Sequence, residues 1–371
     1  MLDDVYPLPR RQTRAVTVGG LTIGGGAPLT IQSMTKTPTH DVEATVAQIH
    51  ALEEAGCDII RVAVPDTRAA EALGAIKRQI HIPLVADIHF NYRLALTAIA
   101  QGVDKLRLNP GNLRHPEQVR EVVAAAQARG IPIRVGVNNG SIDPELRAQF
   151  PFTPAGNARA LVESALGHIR LLEDLDFTAI VVSLKASDII TTVLAYRMMA
   201  AERDYPLHIG VTEAGLPPEG LLKSGVGMGQ LLGEGLGDTI RVSLTAPPVE
   251  EVEAGWRLLR ALALRVGGIT LTACPTCGRC DVDFDPIIHQ VQDQLAPLDR
   301  RLRAAGHSLH VAVMGCEVNG PGEARDADVG IASGHGSGLL FRHGEVLGRV
   351  PEGEIVSALL REVLSLAASR P

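Results

Sequence analysis

Two groups of residues in this 371-residue chain are equipped for chemistry, and the first is a set of thiols. Cys274, Cys277 and Cys280 share one turn-rich stretch, Cys274-Pro275-Thr276-Cys277-Gly278-Arg279-Cys280, and Cys316 follows later. Two ligands separated by two residues can grip one metal or cluster without backbone strain. Four thiolates would close a structural zinc site, and cysteine spacing alone leaves that reading open. Against it, Gly315-Cys316-Glu317-Val318-Asn319-Gly320-Pro321-Gly322-Glu323 is a glycine-rich loop that carries Asn319 and Glu323 towards the same centre. A purely structural metal has little use for those groups, so the chemistry favours an iron–sulfur cluster. Cys57 stands alone at the entry to an apolar run and reads as a packed spectator thiol.

The second group lies at the ends of β-branched runs. Side chains alternate across a strand, so residues two apart share a face. That parity aligns Asp87 with His89, Arg107 with Asn109, Arg134 with Asn138, Ser183 with Lys185 and Arg241 with Ser243. Arg61 and Gln32 hold the same face of their own runs, opposite the flanking aliphatics. One arginine at a strand end more often pairs with a neighbouring carboxylate. Four on different strands, with a lysine, would repel each other in a water-poor space unless an anion compensates them. Guanidinium groups fit phosphate oxygens bidentately. The chain carries a net charge of −7, so cations gathered in one place point to a small polyanion such as a diphosphate. Asp87 and Glu213 offset part of the charge. Glu213 falls one residue off the inward parity and is a candidate acid–base group, while His208 reads as a core histidine.

These residues need elements to position them. Between about residues 28 and 265, short β-branched runs alternate with stretches of helical apolar spacing. Strands are expected near 28–34, 58–64, 83–89, 104–109, 131–138, 178–185, 206–212 and 238–244. Helices include Val42–Ala55, Val119–Arg129, Ala158–Leu172 and Val249–Arg265. Eight consecutive strand–helix units suit a closed TIM (β/α)8 barrel, whose sites lie at the C-terminal ends of the strands; an open doubly wound sheet is the competing α/β reading. Gly19–Gly26 reads as a hairpin plugging the barrel's bottom, 140–156 as an extra loop or short helix, and 225–237 as helix and loop rather than a cofactor cradle. After Gly267-Gly268 a strand runs into Cys274, a helix covers about Ile287–Ala305, and a strand runs towards Cys316. Two or three short strands and a final helix complete a smaller α+β domain. The expected domains are 1–266, binding substrate, and 267–371, holding the cluster.

Composition closes off other classes. At 46% hydrophobic the chain is too apolar for disorder. Aromatics are only 3% and the charge is negative, which argues against nucleic acid. No apolar run approaches the roughly 18 residues of a membrane helix, and Met1-Leu2-Asp3-Asp4 starts no signal peptide, so a cytoplasmic location is expected.

Taken together, QSMT (32–35), VADIHF (85–90), LRLNPGN (106–112), IRVGVN (133–138), SLKASD (183–188), TEAG (212–215), CPTC (274–277) and GCEVNGPGEA (315–324) closely resemble the bacterial 4-hydroxy-3-methylbut-2-en-1-yl diphosphate synthases. The resemblance runs from about residue 10 to the final helix. It implies a TIM barrel joined to a domain like those of sulfite and nitrite reductases, with one 4Fe–4S cluster per subunit. Carried over, the cluster ligands would be Cys274, Cys277, Cys316 and Glu323, and Cys280 would be a bystander. The implied reaction is the two-electron reductive opening and dehydration of 2-C-methyl-D-erythritol 2,4-cyclodiphosphate in isoprenoid synthesis. Flavodoxin or ferredoxin would supply the electrons. Arg61, Arg107, Arg134, Lys185, Arg241 and Ser243 would hold the diphosphate, helped by Asn109 and Asn138. Asp87, His89 and Glu213 would manage hydrogen bonds or protons near the reacting carbons. The resemblance also implies a homodimer in which one subunit's cluster domain caps the other's barrel, and the short Gly267-Gly268 connection fits that arrangement. The alternative is a non-redox phosphate-binding barrel, a lyase or transferase, stapled by a zinc module.

Overall fold

A computed structural model describes residues 9–88, 91–108, 115–280, 282–318 and 320–369. The chain divides between Arg265 and Val266 into two compact units.

In the first unit a hairpin, β1 (Val16–Val18) and β2 (Leu21–Ile23), precedes the barrel. Its turn is Gly19-Gly20, both left-handed at φ +52° and +92°, as a two-residue primed turn requires. The hairpin therefore starts earlier than the glycine pattern suggests. The alternation then unfolds as β3 (Thr30–Met34), α1 (Val42–Glu54), β4 (Ile59–Val64), α2 (Thr67–Lys77), β5 (Leu84–Ile88), α3 (Tyr92–Ala100), β6 (Lys105–Leu108), α4 (Pro116–Arg129) and β7 (Ile133–Asn138). A short α5 (Pro144–Ala148) fills the long 140–156 segment before α6 (Pro154–Glu173). Then come β8 (Ile180–Lys185), α7 (Ile189–Glu202), β9 (His208–Ile209), α8 (Glu219–Gly233), β10 (Thr239–Ile240) and α9 (Pro248–Ala261).

The eight strands β3 to β10 pair in parallel in the order β8-β7-β6-β5-β4-β3-β10-β9. A bridge between Val182 and Leu207, with the Val182 N–H donating to Pro206 O at 2.9 Å, links the two ends of that order and completes the ring. This is the closed barrel rather than the open sheet. Strands β9 and β10 pair over only two residues each, shorter than their apolar runs. The outward aliphatics of the strands and the inner faces of the helices form one continuous core. Helices start where side chains satisfy their first N–H groups: Asp41, Asp66, Thr153 and Asp188 accept from Ala44, Ala69, Gly156 and Thr191.

At the bottom of the barrel, Val16, Val18 and Ile23 of the hairpin pack on Ile59, Val85 and Val181, the first inward residues of β4, β5 and β8. Three aspartates at strand starts then set the register. Asp58 accepts from Ile31 N at 2.7 Å, Asp104 from Leu84 N at 2.7 Å and Asp238 from Leu207 N at 2.8 Å, each across to a neighbouring strand.

The second unit is a five-stranded sheet, β11 (Gly268–Ala273), β12 (Ser308–Met314), β13 (Val329–Gly334), β14 (Ser337–Arg342) and β15 (Glu345–Pro351), paired in sequence order. The first three strands are parallel and the last two antiparallel. Helices α10 (Phe284–Ala305) and α12 (Ile355–Ala368) share one core with the sheet, through Val291, Leu295, Leu302, Val311, Ile331, Ile355 and Leu359 among others. A single turn, α11 (Gly320–Glu323), leads into a second cluster formed by Ala312, Met314, Ala324, Ala327, Ala332 and Phe341. No helix is long and apolar enough to cross a membrane among the described residues.

Replacing the fully buried Ile23 by alanine is expected to destabilise the barrel by about 2–4 kcal/mol, because the plug leaves a cavity that the strands cannot close. Urea unfolding should show a lowered midpoint at unchanged slope, and an unaltered midpoint would mean that the hairpin does not seal the bottom.

Candidate functional site

Because β4 to β10 all run parallel, inward residues late in each strand converge at one mouth. A cavity of about 620 Å³ opens there, lined by Met34, Arg61, Asp87, Arg107, Arg134, Asn138, Ser183, Lys185, Thr212, Arg241 and Ser243. The parity argument thus brings together every described residue assigned to the anion. His89 and Asn109 lie outside the described residues, as does Asn319 in the second unit. Glu213 is exposed, in a left-handed turn (φ +52°) past β9, and does not line the cavity. Gln32 faces inward but sits below the lining.

Charge in this mouth is unbalanced. Asp87, only 3% exposed, accepts from Arg107 at 2.9 Å and stands 3.5 Å from Arg61. A second carboxylate, Glu251 of α9, was not visible in the strand pattern. It is buried, stands 3.4 Å from Arg241, and accepts from the Leu244 N–H at 3.1 Å. Five cations line the cavity against these two carboxylates. Arg134 and Lys185 form no ion pair among the described residues. Burial, with Arg61 and Arg107 adding to it, pushes the Arg134 guanidinium well below its ordinary value. Burial likewise depresses Lys185, with Arg241 the largest of its charged causes. Arg61 is pushed down to about 9 by burial, which Asp87 only partly offsets. A carboxylate held between two guanidiniums fixes their geometry, and the surplus positive charge is what a small polyanion would neutralise.

Two glycines make the arrangement possible. A Cβ on Gly136 would lie 2.8 Å from Arg107 Nε, and one on Gly210 would lie 3.0 Å from Lys185 Nζ. Gly136 leaves the space into which Arg107 folds, and Gly210 admits the Arg241 carbonyl, 2.4 Å from where its Cβ would stand, as well as the Lys185 amine. A repeated spacing in the sequence marks the same positions. Asp58-Ile-Ile-Arg61, Asp104-Lys-Leu-Arg107 and Asp238-Thr-Ile-Arg241 repeat one spacing, in which the aspartate caps a neighbouring strand and the arginine enters the mouth.

The thiols occupy the second unit. Cys274 directly follows β11, and its N–H donates to Val313 O at 3.1 Å; Cys316 follows the adjacent parallel strand β12. Their positions at neighbouring strand ends bring Cys274, Cys277, Cys316 and Glu323 to the wall of one cavity of about 480 Å³, with Pro275, Thr276, Arg279, Met314 and Gly320. A Cβ on Gly320 would stand 2.8 Å from Met314 Cβ and 3.0 Å from Ala332 Cβ, so glycine lets α11 come close enough to present Glu323. The Arg279 backbone, and then its side chain, hold the Cys277 thiol below its ordinary range, which favours the thiolate that metal binding requires. Three thiols and one carboxylate on one wall fit a cluster with a mixed sulfur and oxygen ligand set. Cys280 is absent from that lining. It lines a neighbouring, more open cavity with Cys274 and Cys277, and its thiol donates to Val282 O at 3.5 Å. Cys57 is buried, donates to Ile59 O at 3.1 Å, and is pushed up to about 12 by burial, an unreactive thiol.

Comparison with known proteins follows the same division. Residues 13–256 match the GcpE TIM-barrel domain and residues 270–365 the GcpE protein C-terminal domain. A protein of Geobacter sulfurreducens named 4-hydroxy-3-methylbut-2-en-1-yl diphosphate synthase (flavodoxin) is 54% identical over 97% of this chain and 99% of its own length. Proteins of the same name from Dehalococcoides mccartyi and Geobacillus kaustophilus are each 54% identical, over 97% and 96% of this chain and 100% and 93% of their own. Among solved structures, a dihydropteroate synthase of Yersinia pestis is similar at TM-score 0.49 and 12% identity, over 67% of this chain and 98% of that one.

Gly136→Val is expected to displace Arg107 from the mouth while leaving the strand intact. Losing one charge-assisted contact worth about 1.5–3 kcal/mol should weaken an anionic ligand roughly tenfold or more. Binding measured by calorimetry checks it, and unchanged affinity would remove Arg107 from the anion site.

Proposed function

The chain belongs to the GcpE family, and on that premise we propose that it is a 4-hydroxy-3-methylbut-2-en-1-yl diphosphate synthase. It would open 2-C-methyl-D-erythritol 2,4-cyclodiphosphate reductively, with two electrons and loss of water, using flavodoxin as donor. What carries the reading is the wall shared by Cys274, Cys277, Cys316 and Glu323, joined to near full-length identity with proteins of that name. The alternative of a non-redox barrel with a zinc staple finds no support in this family membership.

Cys274, Cys277, Cys316 and Glu323 would hold a 4Fe–4S cluster, one per subunit. When bound, such a cluster supplies single electrons and a Lewis-acidic iron. The remaining work belongs to side chains. Arg61, Arg107, Arg134, Lys185 and Arg241 would neutralise the cyclic diphosphate, with Ser243 and Asn138 donating to its oxygens and Asn109 assisting. Asp87 would hold Arg61 and Arg107 in register rather than exchange protons itself, since both its oxygens already face guanidinium groups. Glu213, free of the crowded mouth, would deliver the proton that accompanies loss of water, and His89 would help to orient the reacting carbons. Binding of a doubly charged ligand by fixed cations immobilises it and lowers the cost of orientation in the reaction.

Two experiments test this reading. Anaerobically prepared protein should be brown and contain iron and acid-labile sulfide. Cys280→Ser should keep both colour and turnover, whereas Cys316→Ser should lose both. Loss of the cluster in Cys280→Ser would overturn the glutamate ligand. The homodimer, with one subunit's barrel served by its partner's cluster, is tested by mixing Lys185→Ala with Cys316→Ser under exchange. Neither variant works alone, but a shared site predicts recovery of about one quarter of wild-type turnover in a random mixture, from one intact site per heterodimer. No recovery would mean that each chain serves itself.

A further inference from the structure

Beneath the mouth, the barrel is not filled with aliphatic side chains. Thr30, Gln32, Lys105, His208 and Thr239 form an inward polar layer, none more than 7% exposed. Lys105 stands two residues before Arg107 on the same face of β6, one layer deeper, about 7 Å along the strand. Among the described residues, Lys105 Nζ, both ring nitrogens of His208, both amide atoms of Gln32 and both threonine hydroxyls find no hydrogen-bond partner. Polar atoms buried in this way are costly, and the anion site above does not touch them.

The titratable groups around this layer come from every strand of the wall except β3. Arg61 on β4, Arg107 on β6, Arg134 on β7, Lys185 on β8 and Arg241 after β10 are cations, and His208 lies on β9. The carboxylates are Asp87 on β5, engaged with Arg61 and Arg107, and Glu251 on α9, engaged with Arg241 and Ser33. Lys105 itself is acted on by Arg134 and Arg61, both positive.

We propose that this layer takes up a proton when the mouth takes up its ligand: a doubly negative diphosphate bound by the strand-end cations draws a proton onto the buried Lys105 amine, so that substrate and proton load together. The proposal rests on the diphosphate reading of the mouth and adds to it a coupled proton acceptor one layer below. Burial and the neighbouring guanidiniums hold Lys105 well below the ordinary lysine range, so its ammonium is disfavoured while the mouth is without an anion. Two negative charges one layer away cancel most of the repulsion from those guanidiniums and shift Lys105 towards the ammonium. Gln32, His208 and the threonines supply unengaged acceptors that can turn towards the new N–H groups. The linkage is reciprocal: a bound state holding more protons gains affinity as pH falls, by at most about tenfold per pH unit for each proton taken up.

The cyclodiphosphate is well suited to the test, because each ring phosphorus bears a single strongly acidic hydroxyl and the ligand stays dianionic near neutrality. Any proton counted therefore belongs to the protein. Holoenzyme would be titrated anaerobically with the cyclodiphosphate, without reductant, in three buffers of different ionisation enthalpy between about pH 6.5 and 8.5. The slope of binding enthalpy against buffer enthalpy gives the protons taken up. Net uptake is expected in the wild type, and it should fall by at least half in Lys105→Met while binding persists. Lys105→Gln provides a second, polar replacement of similar length. Binding with no dependence on buffer, or uptake in both variants equal to the wild type, would overturn the proposal while leaving the diphosphate site standing. No heat of binding at all would remove the diphosphate reading, and this proposal with it.

Discussion

More positive charge is enclosed by the barrel than its own carboxylates balance, and most of the architecture serves to make that tolerable. Asp87 divides itself between Arg61 and Arg107, and Glu251 reaches in from a helix to meet Arg241. Arg134 and Lys185 remain without such partners among the described residues. An apolar interior would not hold this surplus. Eight strands packed with Val, Ile and Leu on their outer faces provide stability elsewhere, so that the inner face can be kept polar and under electrostatic strain. The hairpin beneath supplies the apolar closure that the polar layers above it cannot.

The second unit solves a different problem with the same device. Parallel strands end side by side, so residues just past β11 and β12 are neighbours whatever their separation in sequence. Cys274 and Cys316 use that adjacency. The CPTC turn adds Cys277, and a one-turn helix brought close by Gly320 adds Glu323. Cys280, three residues further on, faces a different cavity, which is a matter of turn geometry rather than of spacing.

Much of this is legible in the sequence. The eight strand–helix units, the division after the barrel and the inward parity of the arginines follow from periodicities of two and 3.6, which apolar burial enforces strongly. Glu251 was not legible, because it lies on a helix and meets Arg241 from outside the strand pattern. The polar layer of Lys105, His208 and Gln32 was partly legible: the parity that places Arg107 inward also places Lys105 inward, although a fully buried lysine runs against the usual exposure of that residue. The bounds of β9 and β10 are shorter than their apolar runs suggest, since beyond the paired residues only scattered backbone bonds, such as Arg241 N–H to Ile209 O at 3.0 Å, continue the ladder. Glu213 shows the limit of parity beyond a strand's end, where turn conformation and not alternation decides where a side chain points.

The repeated Asp-x-x-Arg spacing has a consequence for folding fidelity. In each copy, the carboxylate that locks a strand against its neighbour stands an odd number of residues before the guanidinium that enters the mouth. Slippage of that strand by one residue would at once unlatch the aspartate and swing the arginine into the helix layer, where it would be stranded in hydrocarbon. Misthreaded barrels are thus penalised twice for a single error, and a chain that survives this proofreading arrives with its cations already aimed.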